Sequence, residues 1–267
     1  MHRLYHPASS RSHFYDSAGN PQHEVIGSTT GRPRNSTVAD AKKNGWLPSG
    51  NTIIEGGMPT SYGLQQYKLN LWANVWTQNR RRLFEAKEKH TKRINKLYQE
   101  ELRKPPERGS RVHYLLYLYL SRQDYTKEKA SPDEWAAFEK GVEWFSNNWG
   151  YPMGEAEYVL VGDGYALQVD WIDYPKVGMP IIIDWKTQDK EKPVFYPEWC
   201  MYLAAAEKAL KGEYLCISVI IPMNGLPVAH KIWTAEEKAH AWELFQSAHN
   251  TYRLVHNWPK EEVCTSI

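Results

Sequence analysis

The first hundred residues change from an irregular pattern to a helical one. Residues 1 to about 60 are rich in Gly, Ser, Thr, Asn and Pro and have little hydrophobic periodicity. This predicts an irregular arm, with one hairpin at the turn-forming run from Asp16 to Asn20. From about Leu64, apolar residues recur at helical spacing to about Leu102. Lys104-Pro105-Pro106 then predicts a helix end, because proline has no N–H to donate and restrains the residue before it.

Two further helices are predicted before residue 150. The stretch from Gly109 to Leu120 is apolar nearly all round, which indicates a buried helix. Ser131-Pro132-Asp133-Glu134 combines a serine cap, a proline in the first turn and a glutamate that can reach back to the cap. It predicts a helix that ends near Gly150.

After residue 150 the pattern becomes that of strands. Gly162-Asp163-Gly164 separates two apolar runs and a third follows a loop, which predicts a meander. A capping box from Thr234 to Glu237 opens a final helix that runs to about His256. The predicted strands are 157–161, 165–172, 180–187, 215–221 and 228–233, with a helix over 197–210.

This order predicts an α/β fold in which helices flank a mixed central β-sheet, with a helical N-terminal elaboration. We divide the chain into an arm over 1–60, one domain over 61–258 and a tail over 259–267. Within the domain, residues 61–150 form the helical part and 151–258 the core.

Composition narrows the class of protein. The chain of 267 residues is 42% hydrophobic and 24% charged, as expected for a globular domain with a sizeable core. It has no apolar run long enough to cross a bilayer and no apolar signal core near Met1, so we expect a cytoplasmic protein that is not bound to a membrane. Cys200, Cys216 and Cys264 lie far apart, which predicts free thiols rather than a four-thiolate metal site.

Positive charge is concentrated in one segment. The net charge is only +2, but basic residues outnumber acidic ones between Gln78 and Lys104. Two interpretations stay open: this stretch lies along a phosphate backbone, with Arg80 and Arg81 as contacts, or it is a solvated helix face.

The main candidate for chemistry is Asp170 together with Asp184 and Lys186. Asp170 ends one predicted strand, and the other two lie two residues apart at the end of the next, so they point to the same face. Two carboxylates suit a divalent cation such as Mg²⁺, which polarises a phosphoryl oxygen and activates water. The lysine can orient that water or neutralise charge on the phosphate. By itself, Asp-x-Lys also fits a surface ion pair.

Two further residues strengthen this interpretation. Glu157 opens the preceding strand and offers a third carboxylate to the same cation. His113 lies in the otherwise apolar helix after Gly109 and is a further candidate for the site. By itself, a lone histidine in such a helix is more often a core residue than a ligand.

This ordered set of residues resembles the RecB-type branch of the PD-(D/E)XK nuclease superfamily. It comprises Gly109-x-x-x-His113, Glu157, Asp170, Asp184-Trp185-Lys186-Thr187 and an alanine-rich helix. The chain is most similar to phage and prophage exonucleases and to mitochondrial genome maintenance exonucleases, and Leu47–Ile54 resembles a segment of the phage proteins.

The resemblance implies a restriction-endonuclease-like core, with Lys186, Asp184, Asp170 and Glu157 as catalytic residues. The metal would be Mg²⁺ or Mn²⁺, held by Asp170, Asp184, Glu157 and His113, with Glu155 as an alternative to Glu157. It further implies DNA as substrate and, by analogy, a phage single-strand annealing protein as partner.

The sequence departs from the family pattern at two places. Leu167 stands where the family often has glycine, three residues before the first aspartate. The family's Gln-x-x-x-Tyr pair is matched either by Glu198 and Tyr202, which would then contact substrate, or by Tyr202 and Ala206.

Three functions follow from this sequence. The leading one is a DNA exonuclease in recombination or repair. A DNA endonuclease of the same superfamily and a non-catalytic nucleic-acid-binding protein are the alternatives. Oligomeric state, digestion polarity and strand preference are left open by the sequence.

Overall fold

The N-terminal segment contains more regular structure than its sequence predicts. The computed structural model describes residues 13–27, 31–60, 62–175 and 178–259. Short strands β1 (Phe14–Tyr15), β2 (Glu24–Ile26), β3 (Pro33–Asn35) and β4 (Leu47–Pro48) form two antiparallel pairs, β1 with β4 and β2 with β3. Helices α1 (Val38–Asn44) and α2 (Gly50–Gly57) lie between and after them.

The turn predicted at Asp16–Asn20 is present. The Asp16 carboxylate accepts hydrogen bonds from the backbone N–H groups of Ala18 and Asn20, at 2.9 and 2.8 Å, and Tyr15 bridges to Pro21.

The two helices were not predicted, and an irregular description of this region is wrong. A capping box from Thr37 to Asp40 begins α1. Helix α2 is held by packing against a helix near the end of the described chain, and its Ile53 is fully buried.

A single long helix replaces the break that the two prolines predicted. Helix α3 (Tyr62–Gln78) is followed by a loop and then by α4 (Lys87–Leu120), which continues through Pro105 and Pro106. Both prolines are exposed, so water can reach the carbonyl groups that they leave unbonded. Packing of α4 against α3 on one side of the prolines, and against the sheet on the other, compensates for the missing hydrogen bonds.

The next helix follows its prediction. Helix α5 (Pro132–Trp149) begins with the predicted capping box, in which the Ser131 side chain accepts from Glu134 N–H and the Glu134 carboxylate accepts from Ser131 N–H.

A five-stranded mixed sheet forms the centre of the molecule. Its strands, in spatial order, are β5 (Glu155–Val161), β6 (Ala166–Asp173), β7 (Ile181–Gln188), β8 (Leu215–Pro222) and β9 (Ala229–Ile232). The predicted meander β5-β6-β7 is antiparallel throughout. Helix α6 (Pro197–Leu210) connects β7 to β8, which pair in parallel.

Helices cover both faces of this sheet. One core contains residues of α2, α6 and the last helix, α7 (Ala235–Val255), which begins with the predicted capping box at Thr234. The other core lies between the sheet and α4 and α5, around the buried Trp171 and Trp185. The expected α/β class, a mixed sheet flanked by helices, is confirmed.

Two expectations from composition can be compared with the described residues. Cys200 and Cys216 are buried and free of disulfides, whereas Cys264 lies outside the described residues. No helix in the described part of the chain is both long and apolar enough to cross a membrane.

Candidate active site

The candidate site lies where β6 and β7 separate. Their pairing runs from Asp173↔Ile181 to Trp171↔Ile183 and goes no further toward Asp170. Beyond that point the Asp170 carboxylate takes the place of a backbone partner, because its Oδ2 accepts the Trp185 N–H at 2.6 Å. The separation of the strands thus leaves room for polar side chains at the sheet's centre.

Asp184 and Lys186 enter this gap from β7. The alternation of the strand places them with Ile182 on the face covered by α6. Lys186 Nζ donates to Asp184 Oδ1 at 2.7 Å, while Asp184 is only 3% exposed. The second oxygen of Asp184, Oδ2, is buried and has no hydrogen-bond partner among the described residues.

The burial of these charges shifts their pKa values. Burial raises the pKa of Asp184 to about 6, against the opposing effect of Lys186. Burial by itself would lower the pKa of Lys186, but the carboxylates of Asp184 and Asp170 outweigh it and raise that pKa above its ordinary value. The pKa of Asp170 is lowered: burial opposes this, and the charges of His113 and Lys186 produce it. These residues therefore form a buried cluster of interacting charges, in which Lys186 and His113 favour the ionised forms of the two aspartates.

Helix α4 brings His113 to Asp170. Gly109 permits the approach, because a Cβ at this position would lie 2.6 Å from Thr187 Oγ1 on β7. One turn further along, His113 Nδ1 lies 3.7 Å from Asp170 Oδ1. The spacing between the glycine and the histidine thus places Gly109 against β7 and His113 beside Asp170.

Glu157 faces Asp170 from β5. The pairs on either side, Ala156↔Trp171 and Tyr158↔Val169, place these two carboxylates opposite each other. Glu157 has a backbone φ of 52°, a left-handed conformation that is uncommon for a residue with a side chain. Burial raises its pKa well above the ordinary value, and the charges of Asp170 and Asp184 add to this.

The position of Glu155 differs from that of Glu157. It lies opposite Ile172 and is exposed. Of the two alternatives, Glu157 is therefore the one that interacts with the aspartates.

Tyr202 of α6 holds strand β6. It is 7% exposed, and its hydroxyl donates to Gln168 O at 2.6 Å and accepts from Gln168 N–H at 3.0 Å. The hydroxyl proton is thus used within the protein, and the two hydrogen bonds position β6; contact of Tyr202 with substrate stays a prediction. Its ring lies 6.0 Å from Lys186 Nζ, and that of Trp199 lies at 5.9 Å.

The other residues predicted to contact substrate are Glu198, Arg80 and Arg81. Glu198 lies one helical turn before Tyr202 and has a buried Oε2 without a hydrogen-bond partner among the described residues. Arg80 and Arg81 lie in the loop between α3 and α4. The length of α4 between that loop and His113 is roughly 40 Å at about 1.5 Å per residue, so the structure does not bring these arginines together with Asp170.

Sequence reasoning missed Gln168. Its Nε2 donates to Glu157 Oε2 at 2.7 Å, and its Oε1 accepts from the Tyr15 hydroxyl at 3.3 Å. A polar side chain two residues before Asp170 in an apolar strand was the available signal, because such residues share a face. Nothing in the sequence indicated the contribution of Tyr15, which comes from 153 residues away.

Within the described ranges, no three His, Cys, Asp or Glu side chains form a group already arranged to hold a metal ion.

Comparison with known proteins adds little to this geometry. No family model matches the chain, and no curated protein does. Among solved structures, one described as "Crystal structure of SSO0001" aligns with 54% of this chain and 70% of its own, at 21% identity and a TM-score of 0.30. At so low a TM-score the likeness carries no argument about fold or function.

Proposed function

We propose that this chain is a metal-dependent nuclease of the PD-(D/E)XK type, which hydrolyses phosphodiester bonds at DNA ends. The observation that carries the proposal is the meeting of Asp170, Asp184 and Lys186 at the point where β6 and β7 separate, with Glu157 opposite Asp170. The order of elements supports it as well: an antiparallel meander, a crossover helix and a parallel strand suit a restriction-endonuclease-like core.

The donors at the site fit a hard divalent cation. Asp184 has a buried oxygen without a partner among the described residues, which is costly unless a cation or a proton satisfies it. Asp170 and Glu157 add carboxylate oxygens, the ligands that Mg²⁺ and Mn²⁺ prefer. We assign Asp170, Asp184 and Glu157 as the residues that would hold the ion, with His113 beside Asp170. When bound, the ion would supply Lewis-acid activation of a phosphoryl oxygen and of the attacking water.

The chain itself supplies the positioning. Lys186 is fixed by Asp184 and lies near the rings of Trp199 and Tyr202. Its side chain is 27% exposed. Its ammonium can donate to a phosphate oxygen and so neutralise charge that develops there. Trp185 N–H holds Asp170 in place, and Gln168 holds Glu157.

Degradation of linear DNA by the pure protein tests the proposal. We expect cleavage to require Mg²⁺ or Mn²⁺ and to stop with a chelator. Asp184→Asn and Lys186→Ala should each lower the rate by roughly 10²–10³-fold or more, as loss of a group that stabilises transition-state charge does. Asp163→Asn, in the exposed turn between β5 and β6, and Lys127→Ala are matched controls that should cleave normally.

Two further outcomes decide the details. If Asp184→Asn and Lys186→Ala both degrade DNA as fast as the parent protein, the proposed site is wrong. Closed circular DNA should stay intact, because an exonuclease needs an end; its rapid nicking would contradict action at ends. Calorimetry should detect Mn²⁺ binding to the parent protein and a much weaker heat with Asp184→Asn.

A further inference from the structure

The segment from α3 to the first half of α4 carries a net positive charge that exceeds the net charge of the whole protein. Between Gln78 and Lys104 there are ten basic and four acidic residues, whereas the whole chain has a net charge of only +2. The rest of the protein is therefore net acidic. We call residues 62–104 the α3–α4 arm.

Most acidic side chains of the arm are neutralised within it. Glu85 pairs with Arg93, Glu100 with Lys96, and Glu101 with Lys104. Within the described chain, by contrast, no acidic side chain pairs with Arg80, Arg82, Lys87, Lys89, Lys92 or Arg103. These uncompensated cations attract a polyanion such as a nucleic-acid backbone.

Three of these cations form a stripe along α4 together with Lys96, which is paired. At 100° per residue, Lys89, Lys92, Lys96 and Arg103 fall within an arc of about 60° on the helix surface. Glu100 lies about 20° beyond one edge of this arc and is paired with Lys96 at 3.8 Å. The stripe extends over roughly 21 Å, which is enough to follow several phosphates of one strand.

The tip of the arm presents apolar side chains to water. Leu83 is 85% exposed and Phe84 is 96% exposed. Phe84 also has a backbone φ of 60°, which residues with a side chain rarely adopt. Neither burial nor backbone preference explains an aromatic ring held outward in this way.

The loop around this tip is held in a defined shape. The Glu85 carboxylate accepts from Arg82 N–H at 3.0 Å and from Arg93 Nε at 3.1 Å. Arg93 also donates to Arg80 O at 3.1 Å. Phe84 is thus presented between arginines on a preorganised loop, which reduces the entropy lost on binding.

We propose that the α3–α4 arm binds an unpaired strand of nucleic acid away from the cleavage site, with phosphates against its arginines and lysines and a base stacked on Phe84. The combination of backbone cations and an exposed aromatic ring is the one that single-strand binding uses. A duplex interior offers phosphates but no free base face. The inference rests on the proposed nuclease function for its biological sense, but it is tested by binding alone.

The experiment measures the affinity of the full-length protein for a fluorescein-labelled 30-nucleotide single strand by anisotropy, in EDTA and over a range of salt. Arg80→Gln with Arg82→Gln should reduce the slope of log K against log salt by about 1.4, at about 0.7 for each phosphate that an arginine no longer neutralises. Lys127→Gln with Lys129→Gln removes two exposed cations elsewhere and should leave the slope unchanged. Equal slopes for the two double variants would overturn the proposal.

Phe84 is tested separately, since a stacking interaction is independent of salt. Phe84→Ala should weaken single-strand binding by about tenfold with the slope unchanged, and Phe84→Trp should retain affinity. An equal loss on a blunt duplex, or parent-like binding by Phe84→Ala, contradicts base stacking. Binding to anionic vesicles without measurable binding to DNA would also overturn the proposal.

These side chains are exposed, so thermal midpoints should match those of the parent protein. If the arm variants weaken binding but the protein shows no metal-dependent cleavage, the nuclease proposal is wrong and the proposal for the arm is supported. If the protein cleaves DNA but the arm variants bind like the parent, the nuclease proposal is supported and the proposal for the arm is wrong.

Discussion

Replacing Tyr202 with phenylalanine is expected to destabilise the protein, because one hydroxyl serves two backbone groups. It donates to Gln168 O at 2.6 Å and accepts from Gln168 N–H at 3.0 Å. Since Gly162 N–H donates to Tyr165 O, the alternation of the β5–β6 ladder turns the backbone groups of Gln168 away from β5. The β6–β7 pairing does not reach them. Tyr202 therefore replaces a missing strand at this point.

The size of the effect follows from those two groups. A buried polar group left without a partner costs about 1–3 kcal/mol. Gln168 is half-buried, so water compensates for part of the loss, and we expect about 2–4 kcal/mol for the pair. For a chain of this size, each kcal/mol lowers Tm by about 2–4 °C, which predicts a fall of roughly 4–16 °C.

The matched control is Tyr252→Phe. Tyr252 is also buried, at 1% exposed, but its hydroxyl has no hydrogen-bond partner among the described residues. Removing that hydroxyl should leave stability unchanged or raise it slightly, because an unsatisfied polar atom leaves the core. Differential scanning calorimetry of both variants measures the difference. If Tyr202→Phe and Tyr252→Phe have the same Tm within about 1 °C, the double hydrogen bond does not stabilise the protein as argued.

Three other perturbations test separate interactions. Gln168→Ala should weaken Mn²⁺ binding by about 10–100-fold in calorimetry, because Glu157 loses the donor that orients it; unchanged affinity would show that the 2.7 Å hydrogen bond is dispensable. Lys238→Met should cost about 3–5 kcal/mol in urea unfolding, because it leaves the buried Glu207 carboxylate without its cation, and a loss below about 1 kcal/mol would contradict this. Gly57→Ala should cost about 1–3 kcal/mol by the same measurement, since its Cβ would collide with a backbone carbonyl of α7; parent-like stability would mean that α2 moves freely.

Local chemistry determined a large part of the fold. The capping boxes at Ser131 and Thr234 and the turn at Gly162–Gly164 involve residues only a few positions apart, so their outcome depends little on the rest of the chain. The five strands followed from their apolar runs for the same reason. The i, i+2 relation of Asp184 and Lys186 follows from strand geometry alone, and their 2.7 Å hydrogen bond agrees with it.

The failures came where distant packing outweighs local preference. Pro105 and Pro106 favour a helix end, yet α4 continues because both of its halves are anchored by other elements. Likewise, α2 has a Gly-rich sequence with weak local signals, and its Ile53 finds a partner surface on α6 and α7. No property of either segment by itself reveals that partner.

The candidate site was likewise determined partly by the sequence and partly by the tertiary structure. The sequence by itself indicated which charged residues belong to the site, because the predicted strands contain Asp170, Asp184, Lys186 and Glu157. Only the tertiary structure decided how they are held. Tyr202 reaches β6 across 34 residues and fills the gap where two strands part, and that gap exists only once the sheet has formed. Interactions of this kind depend on the relative placement of whole elements, which residue spacing does not encode.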